Sequence, residues 1–170
     1  LVIRDGKIIA VGEGVAVPAD AVVVDCKDKF IYPSFIDAYT DYGMPQQQRA
    51  QGGFSFGGPG QLTNNQKGAY GWNQALKSDV EGHKLFAVDE ARAKSFRETG
   101  FGTVLTHQKD GIVRGTGSVV TLADSKDNFV VLKEKAASLL SFNKGTSSQT
   151  YPSSLMGSIA LLRQTYLDAA

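Results

Sequence analysis

Residues 35–43 read FIDAYTDYG, directly after CKDKFIYPS, which ends at Ser34. The stretch has the shape of a short strand. Alternate residues on a strand point to one side, so Tyr39 and Asp41 are expected to share a face at its end. What lies on either side of this strand decides the fold.

Upstream, strand-like runs alternate with turn chemistry: LVIRDG, KIIAVG, AVVVDC and KFIYPSFID. Asp5-Gly6 is a two-residue hairpin signal, because a type I′ turn needs positive φ at both central positions. Residues 1–12 are therefore expected to form a β-hairpin. Pro18, Ala19 and Asp20 interrupt the chain before the β-branched run Val22, Val23 and Val24, and Lys27, Asp28 and Lys29 make the next polar turn. Four short strands in about thirty residues point to a small sheet or sandwich over residues 1–33.

Downstream, residues 43–71 form a Gly/Gln-rich insert with only Arg49 and Lys67 as charges, a composition read as a surface loop. Then comes VDEARAKSFRETGFGTVLTH, in which Asp89 is an N-cap, Glu90 sits in the first helical turn and Gly100 marks the stop. A helix of about ten residues should feed a strand over Gly102–Thr106. A second strand is expected around Ser118–Leu122, and NFVVLKEKAASLLSF reads as strand and then helix. After Pro152 and Ser153, a last helix would bury Leu155, Ile159, Leu162 and Tyr166, with Met156, Ala160 and Leu167 widening the face. Strands alternating with helices imply an α/β fold of βα units over residues 34–170, following the N-terminal β segment.

The 170 residues carry Lys+Arg 18 against Asp+Glu 17, a net charge of +1, which provides no general attraction to nucleic acid. No apolar run is long enough to span a membrane. The single cysteine, Cys26, can form neither an intramolecular disulfide nor a paired-cysteine metal site. A strand pattern is already under way at Leu1, and a helical pattern is still running at Ala170. An internal fragment of a longer protein is the expectation, with association or poor stability where its apolar faces lack their neighbours.

Taken in order, IRDGKIIAVGEG, VVVDCKDKFIYPSFID and the strand that follows resemble the opening of the amidohydrolase superfamily. Pro33, Ser34, Phe35, Ile36 and Asp37 stand in register with that family's Pro-Gly-Phe-Ile-Asp phrase, which precedes a His-x-His pair. FRETGFGTVLTH resembles its helix leading to the second barrel strand. The run from VLTHQKDGIVRGTG to SLMGSIALLRQTYLDA is similar to an imidazolonepropionase-like subgroup. The resemblance implies the first βα units of a TIM-like (β/α)8 barrel, incomplete in this chain. It also implies a divalent metal, zinc first, and hydrolysis of carbon-nitrogen bonds in amides or cyclic amides by a longer parent chain. Relatives of the subgroup suggest a periplasmic or cell-envelope setting.

In this chain the His-x-His positions hold Tyr39 and Asp41, which become the candidate metal positions. A phenol with a pKa near ~10 is a poor ligand at neutral pH, and one carboxylate holds a hard cation weakly. His107, Asp110 and Arg114 are the candidate substrate-binding residues, because they follow a strand whose C-terminal end would face the mouth of a barrel. Arg114 has the geometry to clamp a carboxylate and Asp110 to orient His107, while the alternative is that Asp110-Gly111 is only a turn. His83, in the polar stretch DVEGHKLF, reads as structural. NKGTSS around Lys144 has the order Lys-Gly-Thr and lacks the spaced upstream glycine of a phosphate loop. Two functions follow: a hydrolase acting on a small-molecule substrate together with the rest of its chain, or a catalytically silent scaffold that binds a ligand or a partner domain.

Overall fold

A computed structural model describes residues 1–47 and 73–170, so most of the Gly/Gln-rich insert expected at 43–71 lies outside the described residues. The chain divides into two compact units, Leu1–Pro33 and Ser34–Ala170.

In the first unit β1 (Val2–Arg4) pairs antiparallel with β2 (Lys7–Ala10). Asp5 and Gly6 between them have φ of 50° and 71°, the two positive values that the turn signal predicts. The third and fourth expected strands do not form within this unit. Residues 11–33 follow turns and irregular backbone, and Val22 is 91% exposed. A β-branched run becomes a strand only when a neighbour takes its backbone hydrogen bonds, and no described strand of this unit pairs with Val22–Val24. The expected sheet or sandwich is thus a two-stranded hairpin.

The second unit is built on a four-stranded sheet of order β3-β4-β5-β6. β3 (Phe35–Thr40) runs parallel to β4 (Phe101–Thr106), and the connection between them carries the short α1 (Gly82–Leu85) and then α2 (Glu90–Glu98). The capping of α2 follows its sequence. The Asp89 carboxylate accepts the Arg92 N–H at 3.1 Å, and Gly100 leaves the helix with φ of 93°.

Beyond β4 the expected succession of βα units stops. β5 (Val113–Thr121) returns antiparallel to β4, and β6 (Val131–Leu140) is antiparallel to β5. Only residues 107–112 join β4 to β5, too few for the crossover of a dozen or more residues that a parallel neighbour needs. The helix expected within KEKAASLLSF is also absent: one turn, α3 (Asp127–Val130), precedes a ten-residue strand. Pairing with β5, reinforced by the Ser118 hydroxyl donating to the Glu134 carbonyl at 2.6 Å, overrides the helix preference of Lys, Glu, Ala and Leu.

Two apolar clusters hold the unit together. Ala93 and Phe96 of α2 cover Val104 and Val120 together with Tyr42, Phe86 and Leu122. The Phe86, Tyr42, Phe96 and Phe101 rings meet in that order at centroid distances of 5.7–6.1 Å. The second cluster joins Ala75, Leu76 and Ile112 to Leu161 of α4 (Leu155–Ala169).

That contact corrects most of the expected face of the last helix, of which Leu162 does pack against this cluster, partly buried. Leu161 and Ser158 are buried, whereas Leu155, Ile159, Tyr166 and Leu167 are exposed and Met156 is 81% exposed. Apolar residues ring this helix, so periodicity alone does not select a face. A polar anchor does, as the Ser158 hydroxyl donates to the Phe142 carbonyl at 3.1 Å. No helix among the described residues is long and apolar enough to cross a membrane.

Leu161→Ala should lower the unfolding free energy by about 2–5 kcal/mol, and Ile159→Ala by less than about 1 kcal/mol, in urea titrations followed by circular dichroism. The reverse order would put the expected face back against the core.

Candidate functional site

β3 and β4 run parallel and end on the same side of the sheet, the side where ligands of α/β proteins bind. Buried threonines fix that end. Thr40 and Thr106 are register partners, the Thr106 hydroxyl donates to the Tyr42 carbonyl at 2.5 Å, and the Thr40 hydroxyl accepts the Tyr42 N–H at 3.2 Å. The His107 N–H continues the ladder to the Thr40 carbonyl at 3.1 Å.

Tyr39, His107 and Arg114 converge there. The Tyr39 and His107 rings lie 4.8 Å apart at 57°, and one terminal nitrogen of Arg114, Nη1, donates to the Tyr39 hydroxyl at 2.6 Å. The same nitrogen lies 3.4 Å from His107 Nε2, and Arg114 Nε donates to the Gly111 carbonyl at 3.2 Å. Lys109 places its ammonium 4.8 Å from the centroid of the Tyr39 ring. A guanidinium can only donate, so Nε2 of His107 accepts and its proton sits on Nδ1. That Nδ1 is buried and has no partner among the described residues.

His107 is buried, and burial, followed by the positive charges of Arg114 and Lys109, depresses its pKa from 6.5 to about 4; Asp41 opposes this weakly. The imidazole is neutral at neutral pH.

Tyr39 and Asp41 do not act as a pair. β3 ends at Thr40, the alternation ends with it, and the Asp41 carboxylate turns to Arg92 of α2 at 2.9 Å. Burial tends to raise the Asp41 pKa, but the Arg92 hydrogen bond and the charges of Lys109 and Arg92 outweigh it, so the group is held below the ordinary carboxylate value. With the phenol oxygen on Arg114 and the carboxylate on Arg92, both positions are already occupied by cations. They do not fit a divalent metal, and no group of three or more His, Cys, Asp or Glu stands together among the described residues.

Asp110 does not orient His107. Its buried carboxylate pairs with Lys77 and accepts both the Thr146 N–H at 2.7 Å and the Thr146 hydroxyl at 2.8 Å. Burial raises its pKa, and these bonds more than reverse the effect. The NKGTSS stretch therefore has a structural role: Gly145, at φ of 65°, presses so close to Asp110 that a Cβ there would collide with the carboxylate. Lys77 and Thr146 carry no local signal, since they stand 33 and 36 residues from Asp110. Arg92 likewise reads as an ordinary residue of an amphipathic helix. Lys109 alone lies within a loop that the sequence singles out. His83 sits between Glu81 and Glu134 at 3.5 and 3.8 Å, in keeping with a structural reading.

No protein-family model and no curated protein matches the chain. Among solved structures it is similar to an amidohydrolase from Thermotoga maritima MSB8, with a TM-score of 0.63 and 23% identity, over 98% of this chain and 42% of that one. At that identity the likeness shows a shared fold. The chain thus has the mixed α/β fold of part of an amidohydrolase, and it spans less than half of that protein's length.

Asp110→Ala strands Lys77 and should cost about 3–5 kcal/mol, while Asp41→Ala, at a half-exposed pair, should cost about 1 kcal/mol or less, both read from chemical denaturation.

Stability should also fall in acid. Between pH 6.5 and about 4 the unfolded chain takes up a proton at residue 107 that the folded chain refuses, so stability present above pH 6.5 is lost as the pH falls through this window. The loss amounts to about 3 kcal/mol and should disappear from the pH profile of His107→Gln. Asp110 and Asp41 add their own loss only below their ordinary value of 3.8, a separate window.

Proposed function

We propose that this chain is an amidohydrolase-like domain that binds a small molecule at the C-terminal ends of β3 and β4 without a metal ion on its first strand. One observation carries this reading: Arg114 occupies the Tyr39 hydroxyl and Arg92 occupies the Asp41 carboxylate. A divalent cation entering there would have to displace two guanidinium groups and sit beside the Lys109 ammonium. The scaffold keeps the strand-end geometry and replaces a metal's positive charge with side-chain cations. His107 and Arg114 are the ligand-facing residues, and Asp110 holds their loop in place.

The fold likeness favours a second reading. A longer protein containing this domain hydrolyses carbon-nitrogen bonds of amides or cyclic amides, with zinc held by residues outside these 170. The present residues then shape the substrate site.

Elemental analysis for zinc, manganese and iron on the 170-residue chain and on Asp41→Ala tests the first reading. Well under one equivalent in both is expected. Metal near one equivalent that falls in Asp41→Ala would restore Asp41 as a ligand and overturn it.

A further inference from the structure

Arg114 is 7% exposed, yet its protein partners are all neutral: the Gly111 carbonyl, the Tyr39 hydroxyl and His107 Nε2. No carboxylate pairs with it among the described residues. Its other terminal nitrogen, Nη2, makes no hydrogen bond there. A buried charge without a countercharge is costly, and most buried arginines meet a carboxylate. The nearby acidic groups are committed elsewhere, Asp41 to Arg92 and Asp110 to Lys77 and Thr146. Lys109 likewise pairs with no acidic group among the described residues. The strand end therefore gathers Arg92, Lys109 and Arg114 against the single carboxylate of Asp41. His107 adds a buried Nδ1–H with no acceptor.

We infer that this cluster is a binding site for the carboxylate group of a small organic acid. The inference rests on the reading that β3 holds no metal. The arrangement suits a carboxylate better than a phosphate. With Nη1 held by Tyr39, Arg114 keeps one arm for a planar anion, and the exposed Lys109 ammonium, 4.8 Å from the Tyr39 ring centroid, supplies a second donor. Tyr39 is 53% exposed and its neutral phenol is a weaker acceptor for a guanidinium than a carboxylate. A ligand oxygen can thus take the phenol's place on Nη1, which opens both arms of the guanidinium and uncovers the imidazole beneath the Tyr39 ring. Tyr39 becomes a competitor for the anion in place of a metal ligand.

The test is titration of the wild-type chain with acetate, propionate and inorganic phosphate, in EDTA and again with added zinc. It is followed by calorimetry and by the NMR signals of Arg114 Nε–H and the His107 ring. Saturable propionate binding in EDTA is expected, with phosphate weaker. Arg114→Gln should weaken it by at least about tenfold, Lys109→Ala by a few-fold, and Tyr39→Phe should tighten it. Arg114→Lys, which keeps the charge and loses the fork, should give an intermediate loss in a folded protein. Absence of saturable binding with or without zinc would overturn the carboxylate site and leave the metal-free reading standing. Binding that appears only with zinc would overturn both, and binding unchanged in folded Arg114→Gln or Arg114→Lys would overturn the assignment to Arg114.

Discussion

The Asp110 carboxylate ties together three segments that are distant in sequence. It takes the ammonium of Lys77 from the stretch preceding α1 and two donors of Thr146 from the loop after β6. It sits in the loop between β4 and β5 that also carries His107 and Lys109, four residues before Arg114. A neutral residue at 110 would leave Lys77 partly buried without its partner and would release the 143–149 loop. Around the clamp the same segments exchange further polar bonds. The Gln74 side chain accepts from the Ser148 N–H at 3.0 Å, and the Asn73 amide donates to the Tyr151 carbonyl at 3.1 Å. These bonds link the 73–77 and 143–151 segments to the β4–β5 loop, so the loop that carries His107 is held by polar bonds as well as by apolar packing.

The strand end thereby acquires an electrostatic character that its composition does not announce. A chain with a net charge of +1 concentrates Arg92, Lys109 and Arg114 in one place and keeps His107 neutral there. Local arrangement of charges governs what binds at such a place, while net charge governs behaviour at long range. The same arrangement commits both strand-end oxygens, the Tyr39 hydroxyl to Arg114 and the Asp41 carboxylate to Arg92.

Large apolar side chains remain exposed in both units, among them Val22 and Phe30 in the first, and Phe35, Ile36 and Met156 in the second. The exposure at β3 belongs to the edge of the sheet, where no neighbouring strand pairs with it among the described residues. Surfaces of this kind lower solubility and favour association.

The features legible in the sequence alone are those whose causes lie within a few residues. Asp5-Gly6 dictates a hairpin because two adjacent positive φ values are needed. Asp89 and Gly100 bracket a helix because its ends require an acceptor at the start and a left-handed residue at the stop. The short β4–β5 linker, read as a strand-end loop, likewise holds His107 and Arg114 near one another. Tertiary structure decided the rest. The strand state of Val131–Leu140, the inward face of α4, and the partners of Asp41 and Asp110 all depend on groups brought together from afar, because pairing and burial energies act through space and carry no signature at the residue itself.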